Sequence, residues 1–392
     1  MKRTMMSAIA TVAAAAIGAS AHADDKTGVT DTTIKIGMAA PLTGFASNWG
    51  YPTVNGARMV FDEANAQGGI NGRKIEVVLE DEQCDTQKSI AAAKKLIHRD
   101  KVFMVNAGVC STATLPTREE YLDNKTPMMI LVATMDKIVQ EKPNDWIFRA
   151  YLPGSFDGVI MVDFLKTMPG VKKVMVVGHA DEHANARYEP LIAGLKKNGL
   201  ELAGVETIDY KVADATAQVL KVKAANPDAI ALVARPAEAA VFLKDAYKLD
   251  LKTPMIGATV VDIENLAERI GDTKPLENFY VVSVYKGAVD SPEMAPYVSL
   301  LKKHYPNDKP QVSSFYATSG ALAIVEALRK AGRDLSREKF VAELRKIKSM
   351  DGGPMACTIT FTAENHDGCQ SGTVWTMRSG KIVNMGSTWK QL

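Results

Sequence analysis

An apolar run that begins at Ile34 ends in Ala39-Ala40-Pro41-Leu42-Thr43-Gly44, and two further runs follow, GGINGRKIEVVLEDEQCD at 68–85 and VNAGVCSTATLP at 105–116. The first is a βα loop rich in small and hydroxyl residues. The second is a turn flanked by strand patterns, and the third is a strand running into a hydroxyl cluster at Cys110-Ser111-Thr112. Loops of this kind present backbone N–H groups and hydroxyls to a small anion at a helix N-terminus. An N-cap role for Ser111, with nothing bound, is the plainer alternative and does not exclude ligand contact.

Outward from this stretch, short apolar strands alternate with longer segments of helical period, which predicts parallel sheets covered by helices. Strands are expected at 34–38, 75–80, 102–107, 127–132, 174–178, 229–233 and 255–257. Helices are expected at 55–66, 86–100, 155–167, 188–198, 216–225 and 236–248. Gly68-Gly69 stops the first helix and Asn71-Gly72 makes a tight turn into the next strand. FRAYLPGS (148–155) breaks the period and marks a first crossing between two lobes, and FYVVSVYKG (279–287) leads back. Helices at 292–304 and 318–331 then return to the first lobe, and the tail crosses again from about Asp367. The expected lobes are 24–150 with about 285–366, and 151–284 with about 367–392. No repeat of 20 to 50 residues is evident.

Residues 1–23 read as a leader. Lys2 and Arg3 precede an apolar run from Met5 to Ile17, and Ala21-His22-Ala23 is a small-x-small cleavage site, so the mature chain is expected to begin near Asp24. The run is shorter than the ~20 residues that span a bilayer. Without Lys2 and Arg3 the 47 basic residues fall to 45, equal to the 45 acidic ones. A balanced chain without single-sign blocks offers nothing that attracts nucleic acid or an anionic membrane. Cys84, Cys110, Cys357 and Cys369 allow three pairings, and the sequence does not choose among them. Local pairing, Cys84 with Cys110 and Cys357 with Cys369, is preferred because each closes a short segment. CTITFT (357–362) and SGTVWTM (371–377) would then form a stapled hairpin.

These runs resemble the leucine/isoleucine/valine-type periplasmic solute-binding proteins of ABC transporters, and the resemblance covers nearly the whole mature chain. It implies two Rossmann-like α/β lobes, the type I periplasmic binding protein arrangement, joined by a three-strand hinge. It further implies a disulfide between Cys84 and Cys110 beside the binding loop. Ser111 and Thr134 would grip the ligand's carboxylate, Val132 and Ala133 would contribute mainly backbone, and Trp49 would cover the ligand. In the second lobe the resemblance places His183 and Arg235 at aromatic positions of the family. Thr259 stands where amino-acid-binding members carry the acidic partner of the α-ammonium, with Asp262 a few residues on. The ligand is therefore either an amino acid or an amine-free aliphatic or aromatic acid. Tyr285, Phe315 and Tyr316 are candidate aromatic walls. The expected partner is an inner-membrane permease, the expected location the periplasm, the expected state a monomer, and no cofactor is implied.

Two rival readings are weighed. A ligand sensor docking on a receptor would use the same fold. A metal-dependent hydrolase would use His179 and His183 of HADEH (179–183), but the order is not HExxH and the segment reads as a loop. No G-x-S-x-G, Walker A or G-x-G-x-x-G motif occurs.

Overall fold

The computed structural model describes residues 26–390, except for the side chains of residues 182, 183 and 387–390. The leader at 1–23 lies outside the described residues. Five strands, β1 (Thr33–Ala40), β2 (Lys74–Asp81), β3 (Met104–Ala107), β4 (Met128–Ile130) and β5 (Ile147–Arg149), form a parallel sheet in the order β2-β1-β3-β4-β5. A second parallel set comprises β6 (Lys173–Gly178), β7 (Glu201–Thr207), β8 (Ala229–Val233), β9 (Met255–Gly257) and β10 (Phe279–Ser283). The chain then makes a short ladder, β11 (Met350–Asp351) with β12 (Thr358–Ile359). Finally β13 (Ser371–Arg378) and β14 (Lys381–Lys390) add antiparallel to the second sheet, giving the order β14-β13-β10-β9-β8-β6-β7.

The helices are α1 (Ser47–Ala66), α2 (Thr86–Lys94), α3 (Ser111–Thr114), α4 (Arg118–Asp123), α5 (Lys137–Gln140), α6 (Gly154–Thr167) and α7 (Glu182–Lys197). They continue with α8 (Thr216–Ala225), α9 (Pro236–Lys248), α10 (Ile263–Ile270), α11 (Ala295–His304), α12 (Thr318–Ala331) and α13 (Arg337–Leu344). Strand β8, apolar throughout and buried at every position, falls where the sequence predicts it. The Asn71-Gly72 turn is also found: both residues have positive φ, 49° and 82°, and Ile70 and Arg73 exchange backbone hydrogen bonds of 2.7 and 2.9 Å across it. Two positive φ values in succession are the requirement of the hairpin turn that Asn-Gly meets.

Three expectations are corrected. Helix α1 starts at Ser47 rather than Asn55, with Pro52 inside it. Pro52 cannot donate to the Asn48 carbonyl, which instead accepts from Gln311 Nε2 at 3.2 Å. Helix α7 starts at Glu182 rather than Tyr188, because the Asp181 side chain caps it by accepting from the Ala184 N–H at 2.9 Å. HADEH is thus a strand end, a cap and a first helical turn. The stapled hairpin is not formed either: residues 358–359 pair with β11, whereas β13 pairs with β10 and β14. Both local disulfides are nonetheless present, Cys84–Cys110 and Cys357–Cys369, with Cα separations of 5.5 and 5.7 Å. Strand β7 escaped the pattern because ELAGVET lies at the sheet edge with half-exposed residues and has no apolar run.

Three segments pass between the sheets side by side. Tyr285 bridges antiparallel to Met355 and Arg149 bridges parallel to Asp367, with Gly368 N–H donating to the Arg149 carbonyl at 2.7 Å. Arg149 ties them together. Its fully buried guanidinium donates to Asp367 Oδ1 at 2.7 Å and to the carbonyls of Ala133 and Met135 at 3.1 and 3.2 Å. Gln140 Nε2 takes the other Asp367 oxygen at 2.8 Å.

Removing one partner of a buried ion pair strands the other charge. Arg149→Ala is therefore expected to lower unfolding free energy by about 3–5 kcal/mol. Urea unfolding checks this, and the Arg149→Met/Asp367→Leu double variant should recover much of the loss.

Candidate functional site

A cleft of about 900 Å³, counting its open mouth, lies between the two sheets. It is built where α/β sheets place ligands, at the carboxyl ends of their strands. The first sheet contributes Phe45 and Trp49 after β1, Cys84 after β2, Val109 to Thr112 after β3, and Val132 and Thr134 after β4. Tyr151 follows β5. The second sheet contributes Arg187 from α7, Arg235 after β8, and Thr259 with Val260 after β9, and Tyr316 reaches in from the turn before α12.

The Ser111 hydroxyl is already in use as an acceptor. Its Oγ receives the Thr134 and Met135 N–H groups at 3.1 and 3.2 Å, which docks the loop after β4 onto the start of α3. The hydroxyl hydrogen remains for donation into the cleft. The Cys84–Cys110 bridge forms part of the wall beside it. The loop after β1 is held by Asp81, whose Oδ1 accepts from Leu42 N–H at 2.8 Å and whose Oδ2 accepts from the Thr43 hydroxyl at 2.5 Å. Ala133 does not line the cleft. Its carbonyl is occupied by Arg149.

Across the gap, Arg187 is fully buried yet lines the cleft. Its Nε donates to Asp157 Oδ2 at 2.8 Å and its Nη2 to Thr134 Oγ1 at 3.0 Å. Asp157, in the first turn of α6, also accepts the Thr259 hydroxyl at 2.9 Å and the Thr259 N–H at 3.0 Å. One carboxylate therefore fixes α6, α7 and the loop after β9. Arg235 follows β8 as expected, but its guanidinium lies over the Tyr210 ring at 4.6 Å, with Nη2 3.6 Å from Asp181. Burial and the Asp181 hydrogen bond push the Tyr210 hydroxyl up to about 12.

His179 has a structural place. Nδ1 faces the Ile208 carbonyl at 2.8 Å, Nε2 accepts the Arg235 N–H at 3.0 Å, and the ring stacks on Tyr210. His183 lies in the first turn of α7, and its side chain is outside the described residues.

Asp262 does not line the principal cleft. It caps α10, accepting from the Glu264 N–H at 2.9 Å, and with Glu264 it opens onto a neighbouring cavity bounded by Asn48, Trp49, Gln311 and Tyr316. Burial pushes the Asp262 carboxyl up to about 6, and burial together with the Asp262 charge pushes Glu264 up to about 7. Of the proposed aromatic walls, Tyr316 lines the cleft, Tyr285 lies behind it in a small cavity with Trp375, and Phe315 is core. Sequence reasoning missed Phe45, Tyr151, Asp157 and Arg187. The signal for the last two was Asp157 in the largely apolar start of a helical run, GSFDGVIMV (154–162), where a buried carboxylate demands a cationic partner.

Fold and cleft together define a two-lobed α/β protein with an open cleft between its lobes. Residues 33–381 match the family model described as periplasmic binding protein, and the chain belongs to that family. A protein of Pseudomonas aeruginosa named amino acid binding protein is 29% identical over 50% of this chain, and the chain spans about half, 52%, of that relative's length. The leucine-specific-binding protein of Salmonella typhimurium is 25% identical over 69% of this chain and 71% of its own. Among solved structures, a branched-chain amino acid transporter substrate-binding protein from Streptococcus pneumoniae, with isoleucine bound, superposes with a TM-score of 0.78. It covers 92% of this chain and 99% of its own at 23% identity. Family members bind solutes and are not enzymes, so the hydrolase reading of His179 and His183 is set aside.

Two outcomes are expected. Ser111→Ala leaves two buried N–H groups without their acceptor and should cost about 1–3 kcal/mol even with no ligand present, measured by thermal unfolding. The second concerns pH. The folded-state values of Asp262 and Glu264 lie above those of an unfolded chain, so their contribution to stability is complete below about pH 4 and is lost as pH rises towards 7. His366, which burial holds down at about 4, acts in the opposite sense, its contribution present above about pH 6.5 and lost on acidification. Glu264→Gln isolates the first effect: its stability relative to the parent should rise between about pH 5 and 7, and a flat difference would contradict the assignment.

Proposed function

We propose that this chain is the periplasmic substrate-binding component of an ABC importer, capturing a small carboxylate by closure of the two lobes and delivering it to an inner-membrane permease. The observation that carries this reading is the meeting of the Ser111 and Thr134 hydroxyls with the Arg187 guanidinium at the wall of one interlobe cleft. A carboxylate there gains a hydroxyl donor and a nearby fixed positive charge. The same reading has a monomer exported through the leader at 1–23, cleaved near Ala23. It takes the lobes as 24–150 with about 285–366, and 151–284 with about 367–392, a division supported by sheet membership and by the packing of α11 and α12 on α1. Closure is favoured only as far as the closed state holds the ligand better. Arg187, reaching from α7 to Thr134 beyond β4, is the contact through which the lobes would sense each other.

Thermal melting of the mature protein should be screened against amino acids and amine-free aliphatic and aromatic acids. A bound ligand at a hundred times its Kd adds about 2.7 kcal/mol, enough to raise Tm by several degrees. A panel in which no carboxylate shifts the melt would sink the proposal.

A further inference from the structure

The cleft's charge inventory is one-sided. Among the described residues lining it there is no aspartate or glutamate, and its ionisable groups include two guanidinium groups, Arg187 and Arg235. The carboxylates that lie nearby are committed elsewhere. Asp157 is buried and receives three donors from Arg187 and Thr259. Asp181 caps α7, accepts the Tyr210 hydroxyl and faces Arg235. Asp262 caps α10 and opens onto the neighbouring cavity. Thr259 gives its hydroxyl hydrogen to Asp157, so it offers the cleft a neutral acceptor and no charge. The rest of the wall is largely apolar, with Trp49, Tyr151, Tyr316, Val109, Val132 and Val260 around the space.

We infer that the natural ligand is a carboxylic acid without an ammonium group, carrying an apolar body the size of a branched alkyl chain or an aromatic ring. This rests on the carboxylate-binding reading above and narrows it. An amino acid entering this cleft would strip the water from its ammonium group and place it near two guanidinium groups, with no carboxylate among the described lining residues to receive it. Desolvation and like-charge repulsion both oppose that. An amine-free acid keeps the grip of the hydroxyls and loses nothing.

The test is calorimetric titration of the mature protein with two matched pairs that differ only in the amine: 4-methylpentanoate against leucine, and 3-phenylpropanoate against phenylalanine. The amine-free member is expected to bind at least about 100-fold tighter in one or both pairs. Equal or tighter binding of the amino acids would overturn the inference while leaving the carboxylate reading intact. Binding of no member of either pair would count against the carboxylate reading itself, and so against both. Val260→Glu then places a carboxylate in the cleft without touching Asp157, and should shrink the preference at least tenfold. An unchanged ratio in that variant, with its melting temperature preserved, would mean that shape rather than charge excludes the ammonium group, and would overturn the argument from charge.

Discussion

The site depends on a single buried carboxylate. Asp157 is removed from water in the first turn of α6, where the helix dipole favours a negative charge, and it gathers Arg187 Nε and both donors of Thr259. An isolated charge in that position would be strongly destabilising, and so would an isolated Arg187. Together they allow a guanidinium to stand at the wall of the cleft, held rigidly enough for Nη2 to meet Thr134 across the gap. The second lobe's face is organised around this pair. It orients α7 on α6, positions the loop after β9, and determines which of the polar atoms of Thr259 remains for a ligand.

A second constraint lies one strand away. His179 joins the end of β6 to the segment after β8 by accepting the Arg235 N–H, and to the segment after β7 through the Ile208 carbonyl. Both ring nitrogens are thereby engaged, so the imidazole acts as a brace between neighbouring strand ends. Tyr210 stacks on it and in turn supports Arg235. The mouth of the cleft is thus ordered by a column of rings and a guanidinium that looks, in sequence, like scattered polar residues.

Much of the fold was legible because apolar runs such as AIALV at β8 have one stable location, the inside of a covered sheet. Errors fell where a local rule was overridden by a distant group. The helix starts expected at 55 and 188 came too late: the carbonyl that Pro52 leaves unserved finds Gln311, and Asp181 caps the other helix at Glu182. The hairpin expected around Cys357 and Cys369 failed because β13 had a better partner in β10, far away in sequence. In the site, the hydroxyl cluster at Ser111 could be read because it follows a strand pattern, whereas Thr134 was expected only from the family resemblance; both line the cleft. Arg187 could not, since an arginine in mid-helix resembles a solvated residue until its partner thirty positions earlier is known. Asp262 misled for a related reason: proximity along the chain placed it by the cleft, whereas its capping role turns it towards the adjoining cavity.

The order of elements along the chain has a consequence for how the molecule comes to be folded. Helix α1, made early, is covered by α11 and α12, which appear only after residue 294. Until those helices exist, the first sheet has no complete core, and the contacts that would stabilise it span most of the polypeptide. Such long-range closure is slow compared with local pairing. The first lobe of a chain arranged this way reaches its full core only when synthesis is nearly complete, whereas the parallel part of the second sheet is drawn from one continuous stretch.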